Sequence, residues 1–552
     1  MNADAFIIDG YVDEPACLGV PPYISPYIGT IAGVFTAHGI EPRYITIDQV
    51  RANPRILTPV PGGIAIMIAG VTVPGKYLGG TPASLTEIQQ VGTQLRGMNR
   101  LITGPVIFGY SRGGGERAVR KTISGFDHLL SGSPAESLDD WLSGGIIYGA
   151  HSYQRSDPWA VTGSSIIRQH PSFPQIMCEI ETARGCTREV TGGCSFCTEP
   201  FYGHPRYRTI EGIYSEISAL YDAGARHFRL GRQPDLLTYG AGQGEFPRPR
   251  PELIGELFQA IRSAAPGLRT LHIDNINPGT LARHPDAGRQ ALEEIVRYHT
   301  PGDVAAFGME TADPIVVRTN NLKADPDEVM EAIRIVNEVG GDRKEGIPDL
   351  LPGLNFIAGL AGETKRTFLL NEQFLARVLT SGLLVRRVNI RQLMPFEGTR
   401  AYDENTLGKH TSQFRAFKEY VRKKFDLPML RQVFPIGTIL HDVIIEEEGS
   451  LSFGRQMGSY PILVGIPVHL KRHTVLDPVV VDHGMRSLTG LPVPVQVNLL
   501  PSTALKWIPG IGPAAAARIA GARPLPGLAA FHGIAGTTPV DHLLAFTRPS
   551  AQ

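Results

Sequence analysis

The sequence predicts an α/β chain of several domains: a doubly wound sheet, a full or partial parallel βα barrel, a small all-β barrel and a helical hairpin. Three observations carry that expectation. Short apolar runs ending at Gly or Asp alternate with amphipathic stretches up to about residue 400. After Pro435 the texture changes to β-rich runs broken by Gly and Pro, and 552 residues are too many for one hydrophobic core. The expected segments are 1–165, 170–400, a helical connector at 401–435, 436–500 and 501–552.

In the first segment "AFIIDG", "RYITID", "IAIMIAG" and "GPVIFGYS" read as buried parallel strands. Between them "SPYIGTIAGVFTAHG" and "SLTEIQQVGTQLRGMNRLI" have helical spacing, the first ending at Gly39. Ligands of such sheets sit beyond the strand ends, here near Asp9, Gly70 and "GYSRGGGE". The second segment repeats strand and helix through "HFRLGRQ", "TLHIDNI", "VAAFGMET", "GLNFIAGLAGET" and "RRVNIRQLMPFEGT", and its chemistry is expected at the C-terminal strand ends. "TSQFRAFKEYVRKKFD" puts Phe414, Phe417, Val421 and Phe425 on one helical face, with Arg415, Lys418 and Arg422 off it. "GTILHDVIIEE", "YPILVGIP", "PVVVDHG" and "PVPVQVNLL" are the strands of the expected small barrel, and "LKWIPGIGPAAAARIAGARP" is two helices joined by a Gly turn.

No apolar run approaches the ~20 residues of a membrane span, and the opening residues lack a basic start and a cleavage site; a cytoplasmic protein with no membrane partner is expected. Net charge is zero, but from Arg386 onward 19 Lys and Arg face 12 Asp and Glu. That tilt suits an anionic partner and equally suits a solvated basic face.

Of five cysteines, four lie between Cys178 and Cys197. That is no disulfide framework for a chain this long, so the thiols are expected to serve metal binding or catalysis. In "GCTREVTGGCSFC", residues 185–197, Cys186, Cys194 and Cys197 are separated by seven residues and then two. Spacing alone leaves two readings open. Zinc would need a fourth ligand, which Cys178 could supply; three thiolates also suit a 4Fe-4S cluster with one iron left open.

"CEIETARGC", "CSFC", "GMETADPIVVRTNN", "GLAGET" and "LMPFEGT" together resemble the radical S-adenosylmethionine superfamily over about residues 170–400. The resemblance implies that Cys186, Cys194 and Cys197 hold a 4Fe-4S cluster whose open iron binds S-adenosylmethionine. One-electron cleavage of that cofactor would give a 5'-deoxyadenosyl radical that abstracts a substrate hydrogen, with a reduced flavodoxin or ferredoxin-type protein as electron donor. The family's commonest first gap is three residues; the longer one here would fold back through Gly192 and Gly193. The same resemblance places Phe196 against the adenine and Gly231 of "LGRQP" at the Gly-Gly-Glu segment, without its Glu. It also places Glu310 near the cofactor; the alternative is a carboxylate paired with Arg318. Cys178 is expected to be a buried structural thiol, and Cys17 a bystander.

The N-terminal segment resembles a cobalamin-binding domain through "PPYISPYIGTIAGVFTAHGIEPRYITID" and "FDHLLSGSPAESLDDWL". The Asp-x-His-x-x-Gly element of some cobalamin proteins is absent, which favours a retained fold without the cofactor. A single cysteine there disfavours the methylthiotransferase branch, which carries three. The 436–500 segment resembles a TRAM-type barrel, and "IPGIGPAAAARI" resembles a helix-hairpin-helix, with Gly510, Gly512, Lys506 and Arg518 expected at a phosphate. The whole arrangement resembles a group of archaeal-type iron-sulfur oxidoreductases with a C-terminal hairpin. The functional expectation is radical modification of a nucleic acid, most plausibly tRNA or other RNA. The alternatives are a methylase or other radical enzyme on a protein or small molecule, cobalamin-dependent or not, and a non-enzymatic nucleic-acid binder with a structural cluster.

Overall fold

The computed structural model describes residues 5–547 apart from positions 16, 76, 78, 112, 121, 122 and 345, so the end of the 501–552 segment lies outside the described residues. The first sheet is built from β1 (Ala5–Glu14), β2 (Pro42–Thr46), β3 (Ile64–Val71), β4 (Asn99–Thr103) and β5 (His128–Leu129). Its parallel strands run in the order β2-β1-β3-β4-β5. This flavodoxin-like order has its switch point between β1 and β3. Every residue of β1 is buried, as expected of a central parallel strand covered on both faces.

Two sequence expectations shift here. "GPVIFGYS" is not a strand: Asn99–Thr103 is, and Pro105–Phe108 forms a 3-10 turn. Pro105 has no amide for the ladder, and Gly104 breaks the extended chain at φ +96°. The helical run before it ends at Gln94, with Gly97 at φ +99°, and its last residues belong to β4.

The second sheet comprises β6 (Met177–Glu181), β7 (His227–Gly231), β8 (Thr270–Ile273), β9 (Asp303–Glu310), β10 (Leu350–Ala358) and β11 (Arg387–Gln392). All neighbours are parallel, and β8 passes to β9 through the Asn275–Ala306 bridge. The sheet curls into a partial barrel with helices outside, such as Pro251–Ala264 and Pro326–Gly340. The latter starts on an Asp325–Glu328 capping box, worth about 1 kcal/mol. Tyr23–Ile24 pairs with the start of β6, and Gly115 donates to the Leu393 carbonyl, so the N-terminal unit touches both ends of the curl.

Thr411–Val433 is one continuous helical run with a wide turn at Val421–Asp426, and Phe414, Phe417, Val421 and Phe425 face inward as their spacing predicts. The small β unit includes Val443–Glu447, Ser452–Gln456, Leu463–Ile466 and Ser487–Pro492. Its sheet begins and ends on the same stretch, Val475–Leu476 pairing at one edge and Pro478–His483 at the other, so it closes on itself. The loop at 457–460 plugs the partial barrel: Tyr23 Oη donates to the Gly458 carbonyl, and Ser459 N donates to His272 Nδ1. Tyr460 Oη donates to Asp274 at 3.3 Å.

The last described residues pack around Ile508, Ile519 and Phe531 in an apolar core shared with Val479, Val481 and Leu491 of the small β unit. Helices Ser502–Leu505, Pro513–Ala522 and Leu528–Ala535 surround it, and a Val495–Gln496 to Leu544–Ala545 pairing ties the unit to the small barrel's exit. Among the described residues no helix is long and apolar enough to cross a membrane.

Candidate active site

Beyond β6, Gly185 at φ +100° turns the chain and Cys186 N donates to the Gly203 carbonyl. Residues Thr187–Thr191 form a 3-10 turn, then Gly192 and Gly193 take φ +79° and +63°. Both are left-handed positions that a side chain would strain. Gly193 N donates back to the Arg188 carbonyl, so the long gap closes as a compact loop. Cys194 follows, and Cys197 N donates to its carbonyl. Ser195 is pinned to Asn320 by its amide and by its hydroxyl at 2.7 Å.

This local folding brings Cys186, Cys194 and Cys197 to one cavity, together with Arg188, Glu199 and Lys323. Burial pushes the Cys186 thiol up to about 11, opposed by the Arg188 amide and Lys323 and reinforced by Cys194. Cys197 is also driven up, by burial and then by the facing Cys194, Glu199 and Cys186. Burial thus holds Cys186 and Cys197 against ionisation, and a cationic metal centre is what the three-thiol donor set fits. The surrounding charge is already arranged: Arg188 donates to Cys194 Sγ at 3.1 Å while held by Glu245 at 2.9 Å. Burial works to lower the pKa of Lys323, but Cys194 and Glu310 hold it above its usual value. Among the described residues no three His, Cys, Asp or Glu side chains converge on a single metal ion. A cluster does not require such convergence, since each thiolate holds its own iron.

Around the same space lie buried polar atoms with no hydrogen-bond partner: Glu310 Oε2, Glu199 Oε2, and Arg232 Nε and Nη2. A polar ligand would satisfy such atoms. Glu310 ends β9 at φ +63°, and burial raises its carboxyl to about 7 against the pull of Lys323 and Arg391. Its environment is therefore Lys323 and Arg391. The exposed Arg318 takes no part in it.

Gly231 ends β7, and a Cβ there would lie 1.8 Å from Glu179 Oε1. Arg232 follows at φ +53°, fully buried, its guanidinium over the Tyr202 ring and 2.6 Å from Glu199. Phe196 packs with Cys194, Val316, Val317 and Leu322. Cys178 lies in the apolar core, its thiol raised mainly by burial. Gly510 and Gly512 sit in an exposed turn of the C-terminal helices, and Lys506 is exposed beside them. Arg518 donates to the Ile534 carbonyl. These four residues are not part of the cysteine cavity.

Arg188, Lys323, Glu199 and Glu14 escaped the sequence reading. Lys323 sits two residues beyond "TNN", but a lone Lys carries no spacing signal. Glu14 reaches the site only because the first sheet docks on the barrel; it accepts from Tyr27 at 2.6 Å and Tyr202 at 2.5 Å. A second cavity of about 180 Å³ lies in the barrel interior, lined by Asp13, Cys17, Arg229, Asp274, Asn389 and Arg391. Arg229 there bridges Glu179 at 2.7 Å and Asp274 at 3.2 Å.

The model of a family described as the Radical SAM superfamily matches residues 180–369, the span that contains the cysteine loop and Glu310. The chain belongs to the radical SAM superfamily. An uncharacterized protein of Archaeoglobus fulgidus is 43% identical over 513 residues, covering 92% of this chain and 93% of its own. One of Methanocaldococcus jannaschii is 42% identical, covering 89% and 93%. A ribosomal protein uS12 methylthiotransferase of Heliobacterium modesticaldum is 28% identical over 36% of this chain and 38% of its own. The solved radical S-adenosylmethionine methyltransferase TsrM of Kitasatospora setae, with cobalamin and a [4Fe-4S] cluster bound, shares the fold. It superposes at TM-score 0.50 and 12% identity, covering 73% of this chain and 77% of its own. The chain is thus a radical SAM enzyme, and the cofactors of a radical SAM domain are a 4Fe-4S cluster and S-adenosylmethionine.

Proposed function

We propose that this radical SAM enzyme modifies a nucleic acid, and that Cys186, Cys194 and Cys197 are its cluster ligands. The observation that supports the ligand set is the loop that gathers these three thiols, and not Cys178, around one cavity. When bound, the cluster and S-adenosylmethionine supply one-electron reductive cleavage and hydrogen-atom abstraction. The chain's own residues do the rest. Arg188 donates to Cys194 Sγ, and Lys323 places positive charge beside Cys186, opposing the effect of burial on that thiol. Glu310 and Glu199 offer carboxylate oxygens without hydrogen bonds that suit the polar ends of S-adenosylmethionine, with Phe196 an apolar neighbour. The 457–460 plug and Tyr23 close the partial barrel where β6 and β8 begin.

The nucleic-acid reading rests on the C-terminal modules, which we read as a TRAM-like barrel and a helix-hairpin-helix. Gly510 and Gly512 leave the turn's backbone open beside Lys506, an arrangement suited to a phosphate. Arg518, engaged with Ile534, contributes less than its sequence position suggests. We further propose that the first sheet acts without cobalamin, because the chain has no Asp-x-His-x-x-Gly element to supply an axial His. Mass spectrometry of nucleosides from cells with and without the protein tests the substrate class: one or more modified nucleosides should vanish, and an unchanged profile would count against RNA. The likeness to a ribosomal protein methylthiotransferase favours a second reading, a protein substrate, which comparative proteomics of the same cells would reveal.

A further inference from the structure

A cleft of about 560 Å³ runs along β11, between the Thr411–Val433 helical run and the small β-barrel. Its lining includes Arg386, Arg387, Arg391, Arg422, Arg455 and Arg486, against the single carboxylate Asp426. Two of these cations are spoken for: Arg455 pairs with Glu446, and Arg486 lies 3.3 Å from Asp426. Arg386, Arg387 and Arg422 enter no ion pair among the described residues, and Arg391 meets the amide of Asn389 at 3.0 Å.

Asp426 is the shared counter-charge of Arg387, Arg422 and Arg486, one carboxylate against three guanidiniums. Arg386 lies 4.8 Å over the Phe434 ring, and Arg387 lies 4.6 Å over Tyr460. Burial, and in Arg386 the neighbouring Arg387, lowers both pKa values, as happens where positive charge is crowded with too little counter-charge. Keeping such a cluster costs stability unless an anion joins it, and planar Arg forks match the oxygens of a phosphate. The cleft also leads inward. Arg387, Asn389, Arg391 and Tyr460 line both it and the barrel-interior cavity, and the charge of Arg391 reaches Asp13 and Glu310.

We propose that this cleft binds phosphate groups of the substrate and so directs the attached organic part into the barrel. Phosphate could arrive on a polynucleotide or on a small phosphate ester, and a substrate spanning cleft and cavity explains why one strand lines both. The inference rests on the nucleic-acid reading only in its choice of RNA as the first probe.

The test uses the full chain with its cluster reconstituted. A fluorescein-labelled single-stranded RNA twelve-mer is titrated by anisotropy at several salt concentrations, and uridine monophosphate by calorimetry. The variants are R386Q/R422Q and, as a charge-matched control at exposed positions outside the cleft, R43Q/R55Q. If RNA binds, the double variant should weaken it about tenfold or more and flatten the salt dependence by roughly one to two charges, while R43Q/R55Q stays close to wild type. If RNA does not bind but uridine monophosphate does, and only the double variant loses it, the cleft stands and the nucleic-acid reading falls. RNA binding unchanged in R386Q/R422Q but reduced by K506E would overturn the cleft and leave the nucleic-acid reading on the hairpin. Binding of neither probe overturns both. Thermal midpoints of the variants separate a lost phosphate site from a lost fold, and R386K/R422K should restore most of the affinity.

Discussion

Glu14 of the first sheet lies 3.7 Å from Arg232 of the barrel, both side chains fully buried. Arg232 follows Gly231 at the end of β7, and Glu199, two residues after Cys197, reaches it at 2.6 Å. Carboxylates from two other parts of the chain thus meet on one buried guanidinium.

That network should be costly to break on one side. R232A would leave Glu14, Glu181 and Glu199 facing one another without the cation, a loss of about 3–5 kcal/mol. The Arg232→Met/Glu199→Gln double variant should recover part of it. Chemical unfolding of the three proteins measures the difference, and a mild R232A effect would mean that water or a shifted pKa neutralises the acids.

Cysteine substitution should divide the thiols. C194A is expected to lose the cluster and all reductive cleavage of S-adenosylmethionine. C178A should keep both and lose only about 1 kcal/mol of stability from the core. Iron and sulfide content, with 5'-deoxyadenosine formation, reads both outcomes; loss of the cluster in C178A would make Cys178 a ligand.

Glu310 predicts a pH effect whose sign follows from burial. Its carboxyl is raised from 4.5 to about 7 in the folded chain. The folded state therefore holds a proton that the unfolded state releases across this window, and the stability it contributes is present below pH 4.5 and lost as pH rises through about 7. In the cluster-free chain, E310Q should become progressively more stable relative to wild type between pH 4.5 and 7. Thermal midpoints in matched buffers measure it, and parallel curves would show that Glu310 titrates normally.

Cobalamin can be tested directly. Purified protein titrated with hydroxocobalamin should show no saturable spectral change and retain no cobalt after gel filtration. Stoichiometric uptake would mean that the first sheet binds the cofactor without a His from an Asp-x-His-x-x-Gly element.

The sequence by itself determined most of the local structure. Strand runs such as "HFRLGRQ" and "VAAFGMET" are legible because each is bounded by polar turns, and the face of Phe414, Phe417, Val421 and Phe425 follows from helical spacing alone. The cysteine spacing and its neighbouring motifs pointed to the radical SAM class, and the two left-handed glycines already explained how a seven-residue gap could close. Strands Ser452–Gln456 and Ser487–Pro492 were not read, being short stretches with weak apolar alternation. Tertiary structure alone decided which side chains share a space. Arg188, Glu199, Arg232 and Lys323 are spread over 136 positions, and Glu14 comes from another sheet, so no periodicity links them. The basic cleft is likewise assembled from a strand, a helix and a separate barrel. Local periodicity records which face of an element is buried, because burial is a property of that element; the convergence of charges depends on how elements dock, and that is settled only when the chain has folded.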